Sequence, residues 1–500
     1  MFSVRVLMFY PSLSEFIQKA KEGNLIPVYK EILADLETPV SAFLKIGDGH
    51  FSYLLESVVG GEKWARYSFL GSHPSVILKG IGNTVEIIRN ERVEKAEGLY
   101  NPLEAVRKFM SQYRAVPVVG LPRFFGGAVG YMGYDLVRYF DEIRQRPKPG
   151  LGFPDLFLMI TDTLLIFDSL TQKIKIVSNA HVGDENPKRA YETAKTKIDQ
   201  IIEKLEKRTV RRQHRVAKKG TPRIQWRSNM TPKVYEKMVL KAKDYISAGD
   251  IFQVVLSQRF SARIHAEPFD IYRALRVVNP SPYMYYLQMG NFTVAGSSPE
   301  VLVRCEEGRI ELRPIAGTRR RGETDPEDRG LMEELLEDQK ERAEHLMLVD
   351  LGRNDVGRVA EMGKVNVDEL MVIEKYSHVM HLVSHVQGQL AQGKDVYDVM
   401  KACFPAGTVS GAPKIRAMQI IDELEPTQRG LYAGAMGYFS FSGNMDTCIN
   451  IRSIVIDGHQ AYVQAGGGIV ADSQPAQEYD ETVNKAKAIM TAVEMAESGL

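Results

Sequence analysis

Residues 464–482 read QAGGGIVADSQPAQEYDET, and their types and spacing suit the binding of an acidic small molecule. Gly466, Gly467 and Gly468 leave a strand-like run and expose bare backbone, whose N–H groups can hold an anion. A helix start follows. It carries Glu478 and Glu481 three residues apart, on one helix face, where paired carboxylates can hold a hard cation. A second such pair, Glu341 and Glu344, lies in KERAEHLMLVDLGRND. Such a pair is most often a solvated face. Glu344, however, has Leu346, Met347, Leu348 and Val349 beside it, so its helix is expected to be mostly buried. A buried carboxylate is costly unless it is paired or bound to metal. One carboxylate from each helix, with substrate oxygens and water, would satisfy Mg²⁺.

Three further groups of residues bear on chemistry. FPAGTVSGAPKIR, 404–416, is a small-residue loop in which Thr408, Ser410 and backbone amides can donate to an oxyanion, with Lys414 adding positive charge. It lacks the spacing of a phosphate-binding P-loop, and on composition alone it equally suits an ordinary loop opening a helix. YSHVMHLVSHV holds His378, His381 and His385. Strand alternation puts His381 and His385 on one face and His378 on the other, and further Cys or His at zinc spacing is missing. His381 is the candidate acid or base of the three. Arg452, in the strand CINIRSIVI, sits in so apolar a setting that it wants a carboxylate partner, from a structural salt bridge or from a ligand.

The elements that position these residues follow from periodicity. A helix is expected over 187–207, where Pro187 precedes Ala190, Ala194, Ile198, Ile201 and Leu205 at helical spacing. Another opens at Thr231-Pro232 and stops at Gly249. From Ile251 the period becomes two, with Phe252, Val254, Leu256, Gln258 and Phe260 on one strand face. Strands follow at 283–289, 292–295, 301–305 and 309–314, then a single helix over 327–349. The last third gives strands at 434–441, 448–456 and 461–465 and a helix over 477–497, with turns at Ser442-Gly443-Asn444 and Asp457-Gly458. Short links favour antiparallel pairing. The fold class is α+β: large antiparallel sheets in a two-lobed sandwich with helices on the outside. Gly127-Ala-Val-Gly130-Tyr131 echoes Gly434-Ala-Met-Gly437-Tyr438, which fits a duplication or two strands that each need close backbone approach.

Bulk properties narrow the class. Hydrophobic content of 44% and charged content of 25% are globular values, and a net charge of +1 gives no overall pull toward nucleic acid or anionic membrane. The basic stretch 208–227 lacks interleaved aromatics, so a solvated linker fits it better than a nucleic-acid arm. No apolar run is long enough for a bilayer, and the opening segment breaks at Pro11 without a small-residue cleavage site. Cys305, Cys403 and Cys448 form no ligand spacing or disulfide framework, which fits a reducing cytoplasm.

Taken together, the motifs resemble those of the chorismate-utilising enzymes, and specifically anthranilate synthase component I. They are LLES at 54–57, NPSPYMYY at 279–286, SSPE at 297–300, PIAGTRRRG at 314–322, KERAEHLMLVDLGRND at 340–355, HVMHLVS at 378–384, FPAGTVSGAPK at 404–414, and QAGGGIVADS with EYDET near the end. They run in family order over essentially the whole chain. The resemblance implies a Mg²⁺-dependent lyase: ammonia aminates chorismate at ring C2 with loss of the C4 hydroxyl, and pyruvate elimination gives anthranilate, the first step of tryptophan biosynthesis. It implies Mg²⁺ on Glu344 and Glu481, supported by Glu341 and Glu478. It implies carboxylate binding by Gly317, Thr318, Gly466, Gly467, Gly468 and Lys485, with Tyr432 and Arg452 on the enolpyruvyl carboxylate. Glu300 resembles the family's general acid, His381 the histidine of pyruvate elimination, and Thr408 a residue that orients the ring.

Two positions separate this chain from relatives. Gln253 stands where isochorismate and salicylate synthases carry a water-activating lysine, and Ala316 where aminodeoxychorismate synthases carry a nucleophilic one. The LLES motif implies feedback inhibition by tryptophan, bound by Leu55, Glu56, Ser57, Asn279, Pro282, Tyr283 and Met284. The implied division is a regulatory region over 1–220 and a chorismate-binding catalytic region over 221–500, packed as one unit. With no glutaminase segment visible, ammonia is expected from a separate glutamine amidotransferase subunit, in a heterotetramer of two large and two small subunits. The rival readings are an aminodeoxychorismate synthase component I and a catalytically silent tryptophan-binding subunit.

Overall fold

Runs of β-branched and aromatic residues, broken by turn residues, build two large sheets in the computed structural model of the chain. It describes residues 8–47, 49–58, 66–89, 92–96, 101–143, 146–183, 186–207, 224–376 and 379–499. His378 and most of the basic stretch, 208–223, lie outside the described residues. Among those described, one sheet has 13 strands and the other 12. Strand pairing in both is antiparallel. The α+β sandwich expected from the sequence is what forms.

Each sheet is shared by the first and last parts of the chain. In the larger, Phe51–Glu56 pairs with Tyr283–Met289, joining N-terminal strands to C-terminal ones. In the smaller, Gly127–Met132 pairs with Ala435–Ser440, with Gly130 opposite Gly437. A β-carbon at Gly130 would lie 2.0 Å from Phe157 O, and one at Gly437 2.1 Å from Asp446 O. The echoed glycines therefore let neighbouring backbone approach.

Strand Tyr283–Met289 shows how the core is divided. Tyr285, Leu287 and Met289 point into the core between the sheets, while Met284 and Tyr286 point into a second core under the outer helices. Helices Pro268–Val278 and Pro475–Glu497 cover that second face. Among the described residues no helix is long and apolar enough to cross a membrane.

Four local expectations need correction. The single helix over 327–349 is two, Asp325–Glu337 and Gln339–Gly357. Asp338 breaks them, because its carboxylate caps the second helix by accepting from the N–H groups of Lys340 and Glu341 at 3.0 and 3.1 Å. Phe252 precedes strand Gln253–Arg263 and is 72% exposed, rather than sharing its buried face. The run 448–456 is not one strand. Met445–Ile449 belongs to the smaller sheet and Ser453–Asp457 to the larger, so residues 450–452 cross between sheets. Finally, strand Gln460–Ile469 does not end before the glycines but runs through them.

Candidate active site

Gly466, Gly467 and Gly468 are ladder residues, paired with Ser257, Leu256 and Val255. None has positive φ, so they form no anion-binding turn. Their contribution is space. A β-carbon on Gly466 would lie 2.7 Å from Tyr432 Oη, one on Gly467 3.2 Å from Glu478 Oε2, and one on Gly468 2.6 Å from Gln253 Nε2 and 3.8 Å from Glu344 Oε1. Each helix thus brings one acid against this strand, Glu478 at Gly467 and Glu344 at Gly468.

Helix Gln339–Gly357 carries Glu341 and Glu344, and helix Pro475–Glu497 carries Glu478 and Glu481. Burial, then the charge of Glu344, pushes the Glu341 carboxyl up, while Arg319 pulls it down. Burial likewise raises Glu478, with Glu481 adding to the rise and Ser473, Lys485 and Lys340 opposing it. Glu478 Oε2 is buried with no hydrogen-bond partner among the described residues. Glu481 pairs with Lys485 at 2.5 Å, and Lys485 also donates to Gly466 O at 3.1 Å. Gln253 Nε2 donates to Glu344 Oε1 at 2.8 Å.

The sheet crossover explains Arg452. Its φ of +53° is strained for an arginine and turns the side chain out of the ladder. The guanidinium donates to Lys485 O, and no carboxylate among the described residues lies within ion-pair distance. Burial works against its charge, and Tyr432 and Glu481 favour it. An arginine held this way has the donors to pair with a carboxylate.

Gly317, where a β-carbon would lie 3.2 Å from Glu341 Oε2, interrupts strand Ile315–Arg320 with φ +64°, and the register shifts there. The bulge brings Thr318 opposite His381. His381 Nδ1 lies 3.0 Å from both Gly317 O and Thr318 Oγ1. The carbonyl can only accept, so Nδ1 carries the proton and Nε2 is left basic. Burial, reinforced by Arg452, lowers the ring's pKa against the pull of Gly317 and keeps it neutral.

Glu300 follows strand Phe292–Ser298 and is buried. Burial pushes its carboxyl up to about 8, opposed by the Thr408 hydroxyl and the Ile315 N–H. Thr408 sits in the short turn Gly407–Val409. Lys414 is turned away from the loop's donors: it forms a buried ion pair with Asp355 at 2.6 Å that fastens the loop to the acid-bearing helix. Arg429 adds a second tie, donating to Val409 O and Val255 O at 2.7 and 2.6 Å while paired with Glu425.

A separate cavity of about 290 Å³ lies at the joint of the N- and C-terminal strands. Leu55, Glu56, Ser57, Pro282, Tyr283 and Met284 line it. Asn279 does not; it caps the helix before it and donates to Ser297 Oγ at 2.8 Å. Glu56 lines the wall with its carboxylate already engaged by Tyr272 and Arg276.

Sequence reasoning passed over Arg319, Lys340 and Tyr235. Arg319 bridges Asp338, Glu334 and Glu341, and the arginine run of PIAGTRRRG was the available signal. Lys340 acts on Glu478 across the two helix starts. The Tyr235 hydroxyl stands beside Gly467 and donates to Leu256 O. Nothing in its spacing marked it out.

Among the described residues, no three His, Cys, Asp or Glu side chains converge on a point. A divalent ion would therefore take few carboxylates and complete its shell from substrate and water, as Mg²⁺ ordinarily does. The orphaned Glu478 oxygen and the repulsion within each acid pair fit such an ion.

Known proteins place the chain. Residues 62–491 match the family described as chorismate binding enzyme. Anthranilate synthase component 1 of Aquifex aeolicus is 51% identical over 487 residues, 97% of this chain and 98% of that protein. That of Acetivibrio thermocellus is 50% identical over 492 residues, 98% and 99% of the two chains. The crystal structure of anthranilate synthase component I from Streptococcus pneumoniae superposes with a TM-score of 0.77 at 38% identity, covering 92% of this chain and 99% of that one. The chain belongs to the chorismate-binding enzyme family, among the anthranilate synthase component 1 proteins.

Proposed function

We propose that this chain is the large subunit of an anthranilate synthase, converting chorismate and ammonia to anthranilate and pyruvate with Mg²⁺. The observation that carries the reading is the site's polarity. Arg452 offers a buried guanidinium paired with no carboxylate among the described residues, and Glu478 and Glu344 stand at Gly467 and Gly468 of strand Gln460–Ile469. A ring with two carboxylates fits such a site, one on the arginine and one on a divalent ion.

Glu344 and Glu481 would hold Mg²⁺, with Glu341 and Glu478 behind them. The ion supplies Lewis-acid polarisation of the ring carboxylate. Arg452 and Tyr432 hold the enolpyruvyl carboxylate, and Lys485 and Thr318 add donors. Glu300 stays protonated at neutral pH and gives its proton to the departing C4 hydroxyl. His381 Nε2 is the neutral base for the elimination that makes the ring aromatic. Gln253 and Ala316 leave neither a water-activating nor a nucleophilic lysine, so free ammonia is the nucleophile.

The testing experiment is fluorescence detection of anthranilate from chorismate, ammonium and Mg²⁺, with pyruvate measured in parallel. Equal amounts of both products are expected. Amination without pyruvate release would instead mark an aminodeoxychorismate-forming enzyme. In the cell, a separate glutamine amidotransferase subunit would supply the ammonia, in a cytoplasmic heterotetramer of two large and two small subunits.

The second cavity is the proposed tryptophan site. Phe69, Tyr67 and Tyr438 give it apolar walls suited to an indole, and the Arg304–Asp446 pair gives a polar end. Ser57 Oγ is buried without a partner there among the described residues. Ser57→Arg fills this space. Its expected effect is a rise in the tryptophan inhibition constant of about a hundredfold, with kcat/KM for chorismate within about twofold. Unchanged inhibition would remove the assignment.

A further inference from the structure

Gln253 is held in a way that its contact with Glu344 alone does not explain. Its Nε2 donates to Glu344 Oε1 at 2.8 Å. A carboxylate only accepts, so this contact fixes which end of the amide faces the helix. Oε1 must then face the other way. It is buried, and no donor reaches it among the described residues. The side chain crosses directly over Gly468, where a β-carbon would come 2.6 Å from Nε2 and 3.5 Å from Cδ. An unsatisfied acceptor beside the acids of the site costs stability unless something donates to it in the working enzyme.

We propose that Gln253 Oε1 accepts a hydrogen bond from the attacking ammonia and aims its lone pair at the ring. This rests on the chorismate-aminating reading above and names the residue that handles its second substrate. In that reading the ring carboxylate lies near Glu344, and the carbon attacked is next to the one bearing that carboxylate. Gln253 is the side chain that reaches Glu344 from the strand side. Ammonia has three N–H groups and one lone pair, so an acceptor behind it turns the lone pair forward. The lone pair forms the N–C2 bond, each ring double bond moves one position, and the C4–O bond breaks. The hydroxyl leaves as water with the Glu300 proton, and the nitrogen gives up one proton, which restores the acid through solvent. An amide acceptor does not deprotonate water, so it aligns ammonia without generating hydroxide.

The test uses the full chain with chorismate and ammonium, at Mg²⁺ saturating for the unaltered chain and at higher Mg²⁺. Gln253→Met keeps the length and removes the acceptor; Gln253→Asn keeps the amide but withdraws it by one methylene. For Gln253→Met the KM for ammonium is expected to rise about ten- to a hundredfold, as for loss of one buried hydrogen bond, with the KM for chorismate within about twofold. Gln253→Asn should fall between it and the unaltered chain, and it serves alone if the Met variant does not fold. Parallel rises in both KM values would overturn the proposal. So would recovery at higher Mg²⁺, because the residue would then act only through Glu344. If the unaltered chain makes no anthranilate from ammonium, the aminating reading fails and takes this proposal with it. An active chain whose variants keep its ammonium KM sinks the proposal alone.

Discussion

Glu344→Gln is expected to lower kcat/KM for chorismate by more than about a hundredfold, beyond the effect of removing a supporting residue of a metal ligand. The change is one atom, so packing is kept. What it removes is the charge that faces Gly468 and the Gln253 amide. The Gln253 amide loses its charged acceptor, and a divalent ion loses one of the carboxylates proposed to hold it. Stability should not fall. Glu344 is one of the groups that raise the Glu341 carboxyl, so neutralising it relieves repulsion on the same helix face. The measurements are anthranilate formation against Mg²⁺ concentration, the thermal midpoint, and tryptophan binding to the second cavity. Loss of turnover with unchanged folding and tryptophan binding also separates an enzyme from a catalytically silent binding subunit. Near-normal turnover at ordinary Mg²⁺ would sink the metal assignment.

Local pattern carried much of this site, and tertiary geometry carried the rest. The two acid pairs were readable because three-residue spacing on a helix fixes a common face. The influence of Lys340 on Glu478 was not, since nothing in either helix says that the other is near. The glycine triplet was recognisable but its physical role was different: the residues are extended and paired, and they leave room for Tyr432, Glu478 and Gln253 instead of presenting a turn of N–H groups. Arg452 was conspicuous as a charge in an apolar run. That run reads as one strand because both of its halves are buried, and periodicity cannot see a change of sheet. The helix break at Asp338 was missed because its neighbours are all good helix formers, and a cap outweighs propensity. Gln253 was noticed only for what it is not. Its contact with Glu344 spans 91 positions and depends on a side chain crossing Gly468, which no window of sequence contains.

Glu300→Gln is expected to lower kcat by about 10²- to 10⁴-fold, the range for removing a positioned general acid. It should also abolish a limb of the pH profile. A glutamate at its usual 4.5 would be protonated in about one molecule in three hundred at pH 7. Burial lifts Glu300 to about 8, so most molecules hold the proton at neutral pH. The proton is present below that value and lost above it. In the unaltered enzyme kcat, taken at saturating ammonia, should therefore hold through neutrality and fall about tenfold per pH unit above pH 8, as the acid ionises. The amide has no such proton, so the residual rate of Glu300→Gln should lack that fall. Aspartate at this position keeps the acid but withdraws it by one methylene, which should return the alkaline limb without the full rate. A variant that kept both its rate and its alkaline limb would show that the proton for the departing hydroxyl comes from another group.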